Sequence, residues 1–352
     1  MQKIVGIGLL GCGTVGSAVA AGLVENADAI TRRTGVRCEL RGIATRRSNN
    51  ARAIVDDPGV DIVIEAIGGI DDAAELVERA LDRGRHVITA NKDLIATQGP
   101  RLIALAAARG VGLRYEAAAC SAIPVVRTIL DALAGDRILS VAGVVNGTTT
   151  SILSAMEDGA EYDEALAESQ RLGFAESDPA NDVEGVDAAH KLALLLQLAF
   201  ESAVISPRIR RRGIAGITQR DVARAVERGY RIRLVAAASR TSNGAFAEVG
   251  PVLVAADHPF ARTRGVENVV RIDARDAGTL LLSGLGAGGA ASASPILGDL
   301  VTLLREPKST MPRFEPAIEI APLHDGLQRL DELPEYPLWD DSLLNPVEQA
   351  LR

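Results

Sequence analysis

Near its start the chain runs Lys3-Ile4-Val5-Gly6-Ile7-Gly8-Leu9-Leu10, then Gly11-Cys12-Gly13-Thr14-Val15-Gly16, then an alanine-rich stretch through about Asn26. A buried strand, a glycine turn and a helix in that order narrow the fold sharply. The first glycine permits a tight turn, the second lets a pyrophosphate approach the backbone, and the third lets helix and strand pack closely. The helix N-terminus that follows attracts phosphate charge. Gly11, Gly13, Thr14, Val15 and Gly16 are therefore candidate dinucleotide-binding residues. Segments 37–45, 61–67, 86–89 and 112–116 read as further buried strands, separated by helical stretches of which one begins with a capping-box-like Asp72-Ala73-Ala74-Glu75 and another covers 99–109. This alternation predicts an α/β fold with an N-terminal Rossmann-type, doubly wound parallel sheet.

Strand 37–45 ends in Ala44-Thr45-Arg46-Arg47, with no acid to bond a ribose 2′-hydroxyl. Arginine binds a 2′-phosphate well, so Arg46 points to NADP, with NAD as the alternative. The competing reading leaves both arginines solvated at the start of the next loop. Gly68-Gly69, after the third strand, lets backbone lie close to a cofactor, and Lys92 follows the fourth strand, where open sheets bind ligands.

With 352 residues, 47% of them hydrophobic, the chain is long enough for two domains with separate cores. A net charge of −8 argues against a general nucleic-acid binder. The basic run Arg208, Arg210, Arg211 and Arg212 is read as a solvated segment in preference to a phosphate site. Cys12, Cys38 and Cys120 are far apart and form no CxxC pattern, so neither a disulfide framework nor a zinc site is expected. No signal peptide and no membrane-spanning apolar run is evident, which predicts a cytoplasmic protein.

The second half breaks the first rhythm. Segment 136–145 reads as a longer strand, and Asn146-Gly147-Thr148-Thr149-Thr150 as a polar turn opening a helix, fit either to hold an anionic group or to act as an ordinary threonine cap. An acidic stretch then carries Glu176, Asp178, Asp182, Glu184 and Asp187 ahead of Lys191. It is expected to be loop to about Gly185 and helix from Val186, with Ala189, Leu192, Leu196 and Phe200 as the buried stripe. Asp187 and Lys191 then share one helix face. They are either a surface ion pair or a lysine poised for proton transfer and tuned by carboxylates. Four strands are expected between residues 230 and 283, then a second glycine turn with Gly286 and Gly288. That turn leads into a helix over 292–304, either approaching the cofactor from the second domain or serving as a hinge. The expected layout is a nucleotide domain over 1–134, an α+β substrate-binding and dimerisation domain over 135–304, and a tail, 305–352, packed back on the first domain.

Six segments, GLLGCGTVG (8–16), TANKDLIA (89–96), VNGTTTSIL (145–153), LGFAESDPANDVEGVDAAHK (172–191), GYRIRLVA (229–236) and GLGAGG (284–289), carry a likeness in their joint order. Through them the chain resembles the homoserine dehydrogenase family from Gly6 to about Leu300. The resemblance implies reversible hydride transfer between NAD(P)H and L-aspartate 4-semialdehyde, giving L-homoserine in threonine and methionine biosynthesis. It implies Lys191 as proton donor, Asp187 orienting it, and Lys92 also at the reacting end near the nicotinamide. Glu176 and Asp182 would bind the substrate ammonium, Gly147 and Thr148 would help hold its carboxyl end, and Phe174 would line the pocket where tyrosine is frequent. A monovalent cation, usually sodium, would bind carbonyls at Glu116, Ala119, Ser121 and Ile123, although this loop carries side chains where the family has glycines. The family forms dimers, and 136–145 is the candidate contact. A monofunctional form is expected, with no kinase domain ahead of the nucleotide loop and no C-terminal ACT module. The alternatives are a related NADP-dependent dehydrogenase of another small amino aldehyde and a catalytically silent nucleotide-binding sensor.

Overall fold

The computed structural model describes residues 3–48, 50–307, 311–312, 314–322, 329–330 and 333–344. It forms two compact units, Met1–Val126 with Ala287–Glu315, and Arg127–Gly286 with Pro316–Arg352.

In the first unit the apolar run Lys3–Leu10 (β1) is buried on both faces from Val5 onward, as a central parallel strand must be. Thr14–Glu25 (α1) and Ala27–Thr34 (α2) lead to Val36–Ala44 (β2). Ala51–Asp56 (α3), Ile62–Glu65 (β3), Asp71–Asp82 (α4), His86–Thr89 (β4), Lys92–Arg109 (α5) and Leu113–Arg114 (β5) follow. The strands pair in parallel in the order β2-β1-β3-β4-β5. The order reverses between β1 and β3, and ligands of open α/β sheets bind at the carboxyl ends of the strands at such a switch point.

Some local expectations fail for identifiable reasons. Ile70 precedes α4 and provides no side-chain cap, so the expected capping box is absent and Asp71 and Asp72 act only as first-turn acids. Helix α5 begins at Lys92 and not at 99, because Asn91 caps it, its Oδ1 accepting from the Leu94 amide at 3.0 Å, and Pro100 is accommodated inside. Strand β5 is only two residues long, since Glu116–Cys120 turns into a short helix (α6).

The second unit follows Val125–Arg127 (α7). It contains Ile138–Val144 (β6), Gly147–Glu157 (α8), Tyr162–Arg171 (α9), Ala180–Val183 (α10), Val186–Ala199 (α11), Arg210–Arg211 (β7) and Gln219–Glu227 (α12). Tyr230–Arg240 (β8), Gly244–Ala255 (β9), Pro259–Arg262 (α13), Glu267–Ala274 (β10) and Gly278–Leu285 (β11) complete its central part. Its sheet runs β11-β10-β6-β8-β9, mainly antiparallel, with β7 also paired to β9. One face packs Ala142, Val144, Val235, Val252, Phe260 and Val269 into a core. Helix α11 is buried on nearly every side, from Asp187 to Ala199 with only His190 half-buried, in place of the single stripe expected. A helix apolar all round belongs to an interior.

Two domain boundaries are corrected. Helix Gly289–Arg305 (α14) belongs to the first unit, where Ile296, Leu300 and Leu303 join Val5, Ile7, Leu9 and Val19 in one core. The tail does not return to the first unit beyond residue 315: Glu319–Ala321 (β12) pairs in parallel with β9, and Arg329–Leu330 (β13) with Leu333–Pro337 (β14) forms a hairpin in the second unit. Backbone left open along the edge of β9 offers β12 a partner; tail residues 323–328 and 345–352 lie outside the described residues. Among the described residues, no helix is long and apolar enough to cross a membrane.

Candidate functional site

The glycine loop after β1 is built as its sequence demands. Gly11 has φ of 97°, and a Cβ there would lie 2.3 Å from the Ala66 carbonyl oxygen. A Cβ on Gly16 would lie 2.0 Å from the carbonyl oxygen of Gly11, while one on Gly13 would meet nothing within 4 Å. Gly11 thus packs against the backbone after β3, Gly16 closes the loop upon itself, and Gly13 keeps the outer side clear, which fits a pyrophosphate lying against the backbone. The Gly11 amide donates to Ala44 O at 3.0 Å, tying the loop to the end of β2. Arg46 is exposed in the turn that follows.

Sequence reasoning missed the support of this rim. Glu65, fully buried at the end of β3, accepts from the Ile67 amide at 2.7 Å and from the Thr89 hydroxyl. Burial pushes its carboxyl above the usual range, against the opposing pull of these hydrogen bonds. The Asn91 side-chain amide donates to Gly69 O at 2.6 Å, and its backbone amide donates to Thr89 Oγ1 at 3.0 Å. The Gly68-Gly69 loop and the start of α5, with half-buried Lys92, are fixed together. A lone acid in the apolar run IVIE was the available signal.

In the second unit one hydrogen-bonded chain joins most of the expected substrate residues. Lys191 Nζ lies 2.9 Å from Asp187 Oδ2 and 2.6 Å from Val145 O, its side chain only 10% exposed. An ammonium has three protons, so these two acceptors leave one N–H for a ligand. Asn146 Nδ2 donates to Asp187 Oδ2 at 2.9 Å and to Asp182 Oδ1 at 2.7 Å, while its Oδ1 caps α8 by accepting from the Thr149 amide at 2.8 Å. Thr148 Oγ1 lies 2.9 Å from Asp182 Oδ2 and 2.7 Å from Phe174 O, donating its one proton to either. The cap of α8 is therefore Asn146 and not a threonine. Asn146 links two carboxylates that sequence spacing could not connect.

Other expected residues stand apart from this chain. Glu176 is exposed, and these hydrogen bonds do not reach it. Gly147 has a packing role of its own, since a Cβ there would lie 2.9 Å from Val266 Cα. Gly286 abuts Asn268, whose side-chain amide donates to the same Val145 oxygen at 3.1 Å; a Cβ on Gly286 would come within 2.3 Å of that side chain. Gly288, with φ of 125°, caps α14. Among the described residues no group of three or more His, Cys, Asp or Glu could hold a metal ion. Of the carbonyl positions expected for a monovalent cation, Ile123 O already accepts from the Val125 amide at 2.8 Å, and Ser121 takes the glycine-like φ of 50°. The Glu116 carboxylate accepts from the Val126 amide at 2.8 Å.

Comparison with known proteins bears on both units. The family model described as homoserine dehydrogenase matches residues 124–301, and the one described as homoserine dehydrogenase, NAD binding domain, matches 11–116. The homoserine dehydrogenase of Mycobacterium bovis is 42% identical over 322 residues, spanning 86% of this chain and 73% of the relative. That of Pseudomonas aeruginosa is 40% identical over 90% of this chain and 77% of its own length. Among solved structures, a homoserine dehydrogenase from Thiobacillus denitrificans superposes with a TM-score of 0.86 at 39% identity, covering 92% of this chain and 81% of that one. A hyperthermophilic archaeal homoserine dehydrogenase in complex with NADPH gives 0.75 at 26% identity, over 89% of this chain and 100% of that one. Matched in both units, and at this identity over most of its length, the chain belongs to the homoserine dehydrogenase family.

Proposed function

We infer that the protein is an NAD(P)-dependent oxidoreductase that interconverts L-aspartate 4-semialdehyde and L-homoserine, with Lys191 as the proton donor. The observation that carries the residue assignment is the buried Lys191, held by Asp187 and Val145 O with one N–H left over. Bound NADPH supplies the hydride, and the Gly11–Gly16 loop is open where its pyrophosphate would lie. As the aldehyde oxygen becomes an alkoxide, the Lys191 ammonium stabilises the charge and transfers its proton there. Asp187 keeps the ammonium oriented, and Asn146 keeps Asp187 and Asp182 in place. Asp182, with exposed Glu176, offers negative charge to the substrate ammonium, while the Thr148 hydroxyl and the α8 N-terminus suit its carboxylate. The first test is reduction of NADP by L-homoserine; folded protein that binds cofactor and turns over neither this alcohol nor its aldehyde would refute the assignment.

For the cofactor, the reading is NADP in preference to NAD, since Arg46 is exposed in the turn after β2 and free of any carboxylate neighbour in sequence. Arg46→Ala is expected to raise KM for NADPH about tenfold or more, the loss of a hydrogen bond to a charged group, and to leave KM for NADH nearly unchanged. Equal effects on the two would remove Arg46 from the 2′-phosphate. A sodium ion at the carbonyls of Glu116, Ala119, Ser121 and Ile123 stays part of this proposal; sodium-independent activity in tetramethylammonium buffer would count against it.

The protein is also proposed to act as a homodimer, but not through β6. That strand is paired on both edges and buried, whereas β11 forms the edge of its sheet with Leu281 48% and Leu285 50% exposed. An open strand edge carrying apolar side chains invites pairing. Sedimentation at twice the chain mass is the expected result, and a monomer at micromolar concentration would contradict it.

A further inference from the structure

Away from the Lys191 network, the second unit holds a basic cavity that the reaction does not use. It encloses about 180 Å3 and is lined by Arg210, Arg211, Arg212 and Arg329 with Glu248 and Glu335. Four guanidinium groups against two carboxylates give this lining a formal excess of two positive charges, in a chain whose net charge is −8.

Three of the four guanidinium groups are held before any ligand arrives. Arg210 Nε lies 3.5 Å from Oε1 of Glu248, whose side chain is only 5% exposed. Arg212 donates to Glu335 O at 2.6 Å and lies over the Tyr336 ring, 5.3 Å from its centroid. Arg329 donates to Pro334 O at 2.7 Å, which fixes the hairpin side of the cavity. Arg211 pairs through its backbone with Val249 of β9, and its side chain has no hydrogen-bonded or ion-pair partner among the described residues. Guanidinium forks match the oxygens of phosphate and carboxylate in pairs, and anchoring them in advance lowers the ordering cost of binding.

The cavity also touches the framework of the catalytic helix. The Ile214 amide donates to Val183 O at 2.7 Å, joining the arginine segment to α10, which carries Asp182. A Cβ built on Gly185, the residue before α11, would lie 3.6 Å from Arg212 O and 3.9 Å from Arg211 Cβ. The cavity lining is thus joined directly to the backbone from which Asp182 and Asp187 project.

We propose that this arginine-lined cavity is a binding site for a small dianion, a phosphate monoester or a dicarboxylate, whose occupancy adjusts substrate binding at the Lys191 network. The site is separate from the nucleotide loop, so the test keeps that loop filled. Inorganic phosphate and, separately, succinate are titrated calorimetrically into enzyme saturated with NADPH, at ionic strength balanced with chloride. One probe is expected to bind once per chain, and Arg211→Gln with Arg329→Gln, both on exposed side chains, to weaken it about tenfold or more while NADPH affinity stays unchanged. The KM for L-homoserine is expected to shift at least about twofold with the bound probe in the wild type and not in the double variant. Which probe binds separates phosphate from dicarboxylate. Absence of binding by both, equal affinity in the variant, or a KM that ignores the bound probe would overturn the proposal.

Discussion

Lys191→Ala is expected to lower kcat for L-homoserine oxidation and for aldehyde reduction about 10²- to 10⁴-fold, the range typical of a positioned proton-transfer group. The physical reason is local. Deleting the side chain removes the one N–H that Asp187 and Val145 O leave over, so the alkoxide loses its assigned proton donor and that cation. NADPH affinity is expected to stay within about twofold, because the glycine loop and its supporting Glu65–Thr89–Asn91 bonds belong to the other compact unit. Fluorescence titration of NADPH alongside turnover separates the two effects. A variant that keeps a tenth or more of its turnover would show that another group delivers the proton, and half-buried Lys92 would be the next to test.

Asp187→Ala is expected to be costly to the fold as well as to the rate. Asp187 and Lys191 are 7% and 8% exposed, so the substitution leaves an ammonium in the interior with only the Val145 carbonyl. Breaking a buried pair from one side costs about 3–5 kcal/mol. Asn146 also loses one of its two carboxylate acceptors, which loosens its hold on Asp182. Urea unfolding of the second unit should therefore shift to a clearly lower midpoint, and kcat/KM should fall with it. Asp187→Asn keeps the shape and an acceptor for Asn146 while removing the charge, so it is expected to lose activity with a smaller loss of stability. A midpoint for Asp187→Ala within experimental error of the wild type would mean that the pair is solvated, the bland reading of its i,i+4 spacing.

The most legible part of the molecule is the glycine loop and the strands behind it, because strand, GxGxxG turn and helix follow one another directly in the sequence. The Lys191 helix was also legible, through its apolar run and the spacing of Asp187. The position of α14 was not. Its apolar residues say that it packs, but Ile296, Leu300 and Leu303 meet Val5, Ile7 and Val19 nearly the whole chain away, and nothing local names that partner. The same limit hid β12, whose short edge pairing with Gly244–Phe246 depends on where β9 has been left open. Strand β6, ILSVAGV, lacks a polar face, which suits a strand covered on both sides. Asn146 stands in sequence only as the first residue of a polar turn, because its role lies in two contacts 36 and 41 residues away.

The most direct measurement is NADP reduction by purified protein with L-homoserine, compared with 4-hydroxybutanoate, which keeps the alcohol and carboxylate but lacks the ammonium. The account predicts turnover with L-homoserine, reversed by L-aspartate 4-semialdehyde and NADPH, and at least about a hundredfold lower kcat/KM without the ammonium, since Asp182 and Glu176 would then face no cation. Turnover of both alcohols at similar rates would contradict the assigned roles of these carboxylates. No turnover of either by folded, NADPH-binding protein would contradict the activity itself.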